Sequence, residues 1–241
     1  MKSRYLILLT FLAMSAPMVH ATGIGWGNTA FDSLKMYDSN GNLLNNSYTF
    51  ELGVWATGFT PTAANVSLWA ANWEIISTAS APSANGWDSL NANDPNVNDP
   101  SQNQQFFSQS INFNANGTVQ NGGPTVFTAG QQAYIWVFNS QAVAAGSEWA
   151  LVTDVGNDVW HVPDPSGVVN QPVLWNLDTA DTAVFGSANG VAGAGDQVVD
   201  PGADRLQTYN LSTVVVPEPG SAMMVLVAGV LLRLRRKQRL A

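Results

Sequence analysis

Carboxylates are the groups with the widest chemical scope in this sequence, and sixteen of its seventeen Asp and Glu residues fall between residues 22 and 216. Two carboxyls held ~5–9.5 Å apart would suit glycoside hydrolysis, one as acid and the other as nucleophile or base. Nothing in their spacing singles out such a pair. Two acidic loops, Asp94-Pro95-Asn96-Val97-Asn98-Asp99 and Asp196 to Asp204, carry oxygens that suit calcium, the one cofactor with a case here. A plain solvated acidic loop is the alternative for each. Trp87 beside Asp88 could stack on a sugar ring, although core packing is the competing role for it and for the other eight tryptophans.

Other chemistries lose their raw material. The chain has no cysteine, which removes thiol nucleophiles, thiolate metal sites and disulfides. Removal of an N-terminal leader takes His20 with it and leaves His161 as the sole histidine. One imidazole cannot supply the three or four ligands of a zinc site. A Ser-His-Asp triad would have to use His161, and no Gly-x-Ser-x-Gly elbow accompanies it. Between Trp160 and Val162, His161 reads as a strand residue with a structural role. Gly190, Gly193 and Gly195 lie in loop context, not in a phosphate-binding turn between strand and helix. We therefore assign no catalytic residue and no metal ligand, and expect no enzyme.

The elements that would position these groups are mostly strands. In Tyr48 to Trp55, Tyr48, Phe50, Leu52 and Val54 share one face, with Thr49, Glu51 and Trp55 on the other. Ser33 to Tyr37 alternates too, and Asp38-Ser39-Asn40-Gly41-Asn42 between the two segments predicts a hairpin turn. Those five residues share the opening of a calcium loop but lack its distal glutamate. Thr60 as cap and Pro61 at the first helical position predict a short helix over 61–72, with Val66, Trp69, Ala70 and Trp73 at helical spacing. Residues 78–104 read as a long loop. Strands follow at Phe106 to Phe113, Thr125 to Thr128, Gln132 to Phe138, Glu148 to Thr153 and Val159 to Val162. Gln132 to Phe138 is apolar on both faces, which predicts a central, doubly covered strand. A turn is read at Gly156-Asn157, a loop over Gly186 to Gly202, and an alternating strand over Leu206 to Val216. Short strands punctuated by Gly, Pro and Asn, with one helix, indicate an all-β fold of the β-sandwich or jelly-roll kind.

Charge narrows the partners. Residues 22–216 hold two basic residues, Lys35 and Arg205, against sixteen acidic ones, a net charge of −14. Nucleic acid is excluded as a partner on that balance, because phosphate contacts need clustered Lys and Arg. Charged residues make up 11% of the chain, against ~25% in ordinary soluble domains, so Asn, Ser, Thr, Gln and Gly carry the solubility.

Both ends read as addresses. Lys2 and Arg4, then the apolar Leu6 to Ala16, then Val19-His20-Ala21 form a secretory signal peptide over residues 1–21, cleaved after Ala21. The other end carries Val216-Pro217-Glu218-Pro219, an apolar run over about 220–232, and the basic cluster Arg233, Arg235, Arg236, Lys237 and Arg239. The two prolines impose an extended, accessible segment on 216–219. The apolar run partitions into lipid, and the cluster acts as a membrane stop on the cytoplasmic side. As a helix, the thirteen residues from Gly220 to Leu232 reach ~20 Å, against a hydrocarbon core of ~30 Å, so spanning requires arginine snorkelling or local thinning.

This ordered triplet over residues 216–241 resembles the PEP-CTERM sorting signal of Gram-negative bacteria. The resemblance implies an exosortase-type sorting enzyme as partner, with the membrane engaged through the C-terminal helix before processing. It further implies an exported protein that ends at the cell surface or in the extracellular matrix. A second stretch, Leu52-Gly53 through Gly58-Phe59-Thr60-Pro61-Thr62-Ala63-Ala64-Asn65 to Trp69 with Ala133-Tyr134-Ile135-Trp136-Val137-Phe138-Asn139, is similar to ectodomains of such proteins. It covers about a third of the domain over 22–215 and implies no catalytic residue. The expected function is a non-catalytic structural or adhesive one, with a carbohydrate-binding or carbohydrate-cleaving domain, acting on extracellular polysaccharide, as the alternative.

Overall fold

The computed structural model describes residues 22–28, 35–89, 105–120, 122–156, 160–164, 173–195 and 210–217. Residues 1–21, expected to be a signal peptide, and the apolar and basic parts of the tail lie outside these residues, and among the described residues no helix is long and apolar enough to cross a membrane. The chain is mostly β-strands in several sheets, with one short helix. Its strands are β1 (Thr22–Gly27), β2 (Lys35–Tyr37), β3 (Thr49–Trp55), β4 (Trp73–Ser80), β5 (Trp87–Asp88), β6 (Phe106–Phe113) and β7 (Tyr134–Phe138). They continue with β8 (Glu148–Thr153), β9 (Val173–Asn176), β10 (Thr182–Phe185), β11 (Ser187–Ala188), β12 (Val191–Ala192), β13 (Asn210–Ser212) and β14 (Val214–Val215).

Apolar patterning decides the layering. Strands β3, β7 and β8 carry apolar residues on both faces and form the centre of a six-stranded sheet, ordered β10-β8-β7-β3-β4 with β14 also paired to β8. One face presents Phe50, Leu52, Ile135, Val137 and Val152. It packs on Ile24, Trp26, Phe107 and Phe113 from a four-stranded sheet ordered β5-β6-β1-β9, where the rings of Phe50 and Phe107 stack at 4.3 Å. The opposite face carries a second core of Trp55, Trp73, Trp136 and Trp149, covered by Val66 and Trp69 from the helical segment. A small third sheet, β12-β11-β13-β2, adds Met36, Ala188 and Leu211 to the first core.

Several expectations change. The predicted helix over 61–72 is a 3₁₀ segment, Ala63–Leu68, followed by one α-turn, α1 (Trp69–Asn72), with Trp73 already in β4. Its cap is Thr62, not Thr60: the Thr62 amide donates to Asn65 Oδ1 at 2.8 Å, and that oxygen also accepts the Trp69 indole N–H. The Asn40-Gly41 turn forms, with Asp38 Oδ1 accepting the amides of Asn40 and Asn42. It does not join β2 to β3, however. It folds Leu43 and Leu44 back on Tyr37 and Met36, while β2 pairs in parallel with β13. The loop expected from residue 78 begins later, because β4 runs to Ser80 and β5 follows at Trp87–Asp88.

The 186–202 loop contains a tight hairpin instead. Asn189 and Gly190, both at positive φ (51° and 80°), connect β11 to β12, the geometry an Asn-Gly pair favours. Val126 and His161 make only single bridges, so Thr125 to Thr128 and Val159 to Val162 are not strands within the described residues. The last alternating segment is split: β13 belongs to the third sheet, and β14 to the six-stranded one.

Candidate functional site

The C-terminal junction is where sequence-predicted site residues meet the fold. Thr213 sits fully buried between β13 and β14, its amide donating to the Tyr37 carbonyl at 2.9 Å. In β14, Val214 opposes Trp149 and Val215 opposes Glu148. The period of two then continues: Val214 is buried, Val215 is 51% exposed, and Val216 is buried at 1% with its amide on the Ser147 carbonyl. Pro217, which has no amide to offer, is exposed. Val216 therefore departs from the accessible segment expected for 216–219, because its side chain belongs to the aromatic core. Glu218, Pro219, the basic cluster 233–239 and Ala21, the expected signal-cleavage residue, lie outside the described residues.

A buried carboxylate fastens this junction. Glu148 accepts hydrogen bonds from Ser39 Oγ (2.6 Å), the Ser39 amide (3.1 Å), Tyr48 Oη (2.7 Å) and Thr213 Oγ1 (2.8 Å). Four donors on one carboxylate stand in for a cation, in a domain with only two basic residues. Burial, and then the bond to Glu148, raise the Tyr48 phenol well above its ordinary range, so it remains a donor. Sequence reading missed Glu148 and Thr213. The available signal was an acid opening an otherwise apolar strand.

Glu51 is the second buried carboxylate, on the aromatic face of β3. Its Oε2 accepts from Trp73 Nε1 and Gln141 Nε2, both at 2.8 Å. Desolvation pushes its pKa up to about 6, against the lowering effect of those two bonds. The folded state thus holds the proton more tightly than the unfolded chain, with its ordinary value of 4.5. Glu51 therefore favours folding below pH ~4.5, and that contribution is lost as pH rises towards 6. Glu51→Gln keeps an oxygen for both donors and removes the charge. We expect the variant to gain on the parent between pH 4.5 and 6, reaching about 1–2 kcal/mol above pH 7. Urea denaturation of both proteins across that range checks this; a pH-independent difference would refute it.

The remaining candidates take structural places. Trp87 is fully buried, and all nine tryptophans are at most 9% exposed, so none forms an exposed stacking platform. His161 Nε2 meets Gln132 Oε1 at 2.8 Å, while Gln132 Nε2 donates to Thr153 Oγ1 and the Asp154 carbonyl. This ties the 160–162 segment to the start of β7. Asp181 accepts the amides of Val155 and Gly156, which hold its carboxyl below the usual range. Both proposed calcium loops, 94–99 and 196–204, lie outside the described residues, and no group of three metal-binding side chains occurs among the described ones.

One depression, of about 260 Å³, opens on the four-stranded sheet. Gly25 and Gly27 form its floor, alternating with the inward Ile24 and Trp26. Phe106 and Ser108 lie on one side, Leu174 and Asn176 on the other, and no lining side chain is charged. Such a surface can offer apolar contact and neutral hydrogen bonds but no acid–base chemistry. No family model, curated protein or solved structure matches the chain.

Proposed function

We propose that this chain is an exported, non-catalytic protein, delivered by its C-terminal tail to the cell surface or extracellular matrix, where it has a structural or adhesive role. In this reading residues 22–215 form a β-sandwich, jelly-roll-like ectodomain. An exosortase-type enzyme acts at Pro217-Glu218-Pro219, and the apolar run holds the chain in the membrane until then. The observation that carries the reading is the junction at the motif: β14 runs straight into it, with Val216 buried and Pro217 exposed. A body packed as far as Val216 suits release intact by a cut beyond that residue. The carbohydrate-binding alternative draws support from the uncharged depression over Gly25 and Gly27, and glycan-array binding of the purified domain separates it from a purely structural role.

The sorting reading has a direct test. In a host with the sorting enzyme, Glu218→Ala is expected to trap nearly all of the protein in the membrane fraction as an unprocessed form. Deletion of Arg233 to Arg239 weakens retention before processing, because the short apolar run depends on that charge for orientation. Fractionation with intact-mass measurement reads both. A mature parent still ending in Ala241, with the Glu218 variant distributed identically, would sink the proposal.

A further inference from the structure

We infer that the fold itself sets the limit of tail removal: the clasp over Thr213–Val216 withholds every peptide bond up to Val216, so the severed bond lies beyond it. This rests on the reading that the tail is processed, and it assigns the readable motif to Pro217-Glu218-Pro219 alone, with Val216 as part of the body released. Hydrolysis breaks an amide C–N bond, the acyl carbon taking the hydroxyl of water and the nitrogen its proton. An enzyme that performs this must lay the flanking chain open in its own cleft, so it acts on locally opened substrate.

Opening is opposed at each residue from 213 to 216. Thr213 is held through its amide by Tyr37 and through Oγ1 by Glu148. Val214 and Val215 are in register with Trp149 and Glu148, and the Val216 amide is on Ser147. Drawing the segment out also re-exposes Val214 and Val216, which are 3% and 1% exposed. Losing that apolar burial alone keeps the opened population near ~10⁻³. Pro217 falls past the last of these bonds: it has no amide to donate, and its side chain already lies exposed. Glu148 and Thr213 are thus positioning residues for the cut, although neither reaches the severed bond.

Limited digestion of the full chain in detergent with a broad-specificity soluble protease, followed by C-terminal peptide mapping, tests the limit without the sorting enzyme. The expected product ends at Val216 or within a few residues beyond it. Thr213→Val leaves Glu148 its other three donors, and it should be trimmed past Val216 roughly tenfold faster. Val216→Ala, a milder change, should shift trimming in the same direction with the remaining core intact. A parent product ending before Val216, or both variants as resistant as the parent, overturns the inference. In a host with the sorting enzyme, Val216→Ala should be processed like the parent. A mature C-terminus before Val216 there sinks the limit but not the sorting. A chain still ending at Ala241 sinks the sorting, while the digestion result stands.

Discussion

Trp136→Ala is expected to remove ~3–5 kcal/mol of stability, a large part of what a domain of this size commands. Trp136 sits on the central strand β7, fully buried, with ring centroids of Phe138 at 5.1 Å, Trp149 at 4.9 Å, Trp73 at 5.7 Å and Trp69 at 5.8 Å. Truncation leaves a void bounded by large rigid rings that cannot collapse into it, the condition under which a cavity costs most. The indole N–H of Trp136 has no hydrogen-bond partner. Trp136→Phe therefore discards an unpaired donor along with part of the ring, and should lose far less, about 1 kcal/mol. Urea unfolding of the two variants gives the comparison. Near-UV circular dichroism should also drop in the alanine variant, because the packed tryptophans lose their fixed geometry. Equal losses in the two variants would contradict this account of the core.

Glu148→Ala is the second large effect, also expected at ~3–5 kcal/mol. The substitution removes one acceptor and strands four donors, from Ser39 (two), Tyr48 and Thr213. These come from three separate parts of the chain, so the loss should loosen the turn after β2, the entry to β3 and the approach to β14 together. Glu148→Gln keeps the shape but turns an NH₂ towards donors, and should fall between parent and alanine variant. Hydrogen exchange locates the effect: protection should fall at the amides of Ser39, Thr213 and Val216 before the centre of β7. If Glu148→Ala left unfolding unchanged, the four contacts would contribute nothing net.

The legible parts of the fold were those in which a single rule decides. Phe106 to Phe113 and Glu148 to Thr153 were readable to the residue, and the two-faced apolar pattern at Gln132 to Phe138 identified the central strand. β1 escaped because its outward positions are Gly23, Gly25 and Gly27, a composition that mimics a loop. There glycine serves close approach: a Cβ on Gly25 would lie 2.8 Å from Leu174, and one on Gly27 would meet the backbone of Phe107. β4 escaped for another reason. Its buried residues, Trp73, Ile76 and Ala79, are three apart, so the run prolongs the helical spacing of Val66 and Trp69. The Asn-Gly signal was sound as a turn at Asn40-Gly41 and went unread at Asn189-Gly190, and only the pairing partners reveal which segments are joined. At the junction, the exposure of Pro217 was readable from its lack of an amide, whereas the burial of Val216 depends on tryptophans from distant strands.

The irregular register of β4 has a consequence for encounters between copies of the chain. Among the described residues β4 is the outer strand of the six-stranded sheet, and Ile76 is an extra residue in it, lying between the pairs Leu52–Ser77 and Gly53–Ile75. A straight strand at that position would offer another molecule a regular row of amides and carbonyls to dock against. The inserted residue bends the row and breaks its repeat, so a second sheet cannot continue it in step. β4 has no lysine or arginine to repel a neighbour, so this kink and the single charge of Glu74 are the features of the edge that oppose pairing with another copy.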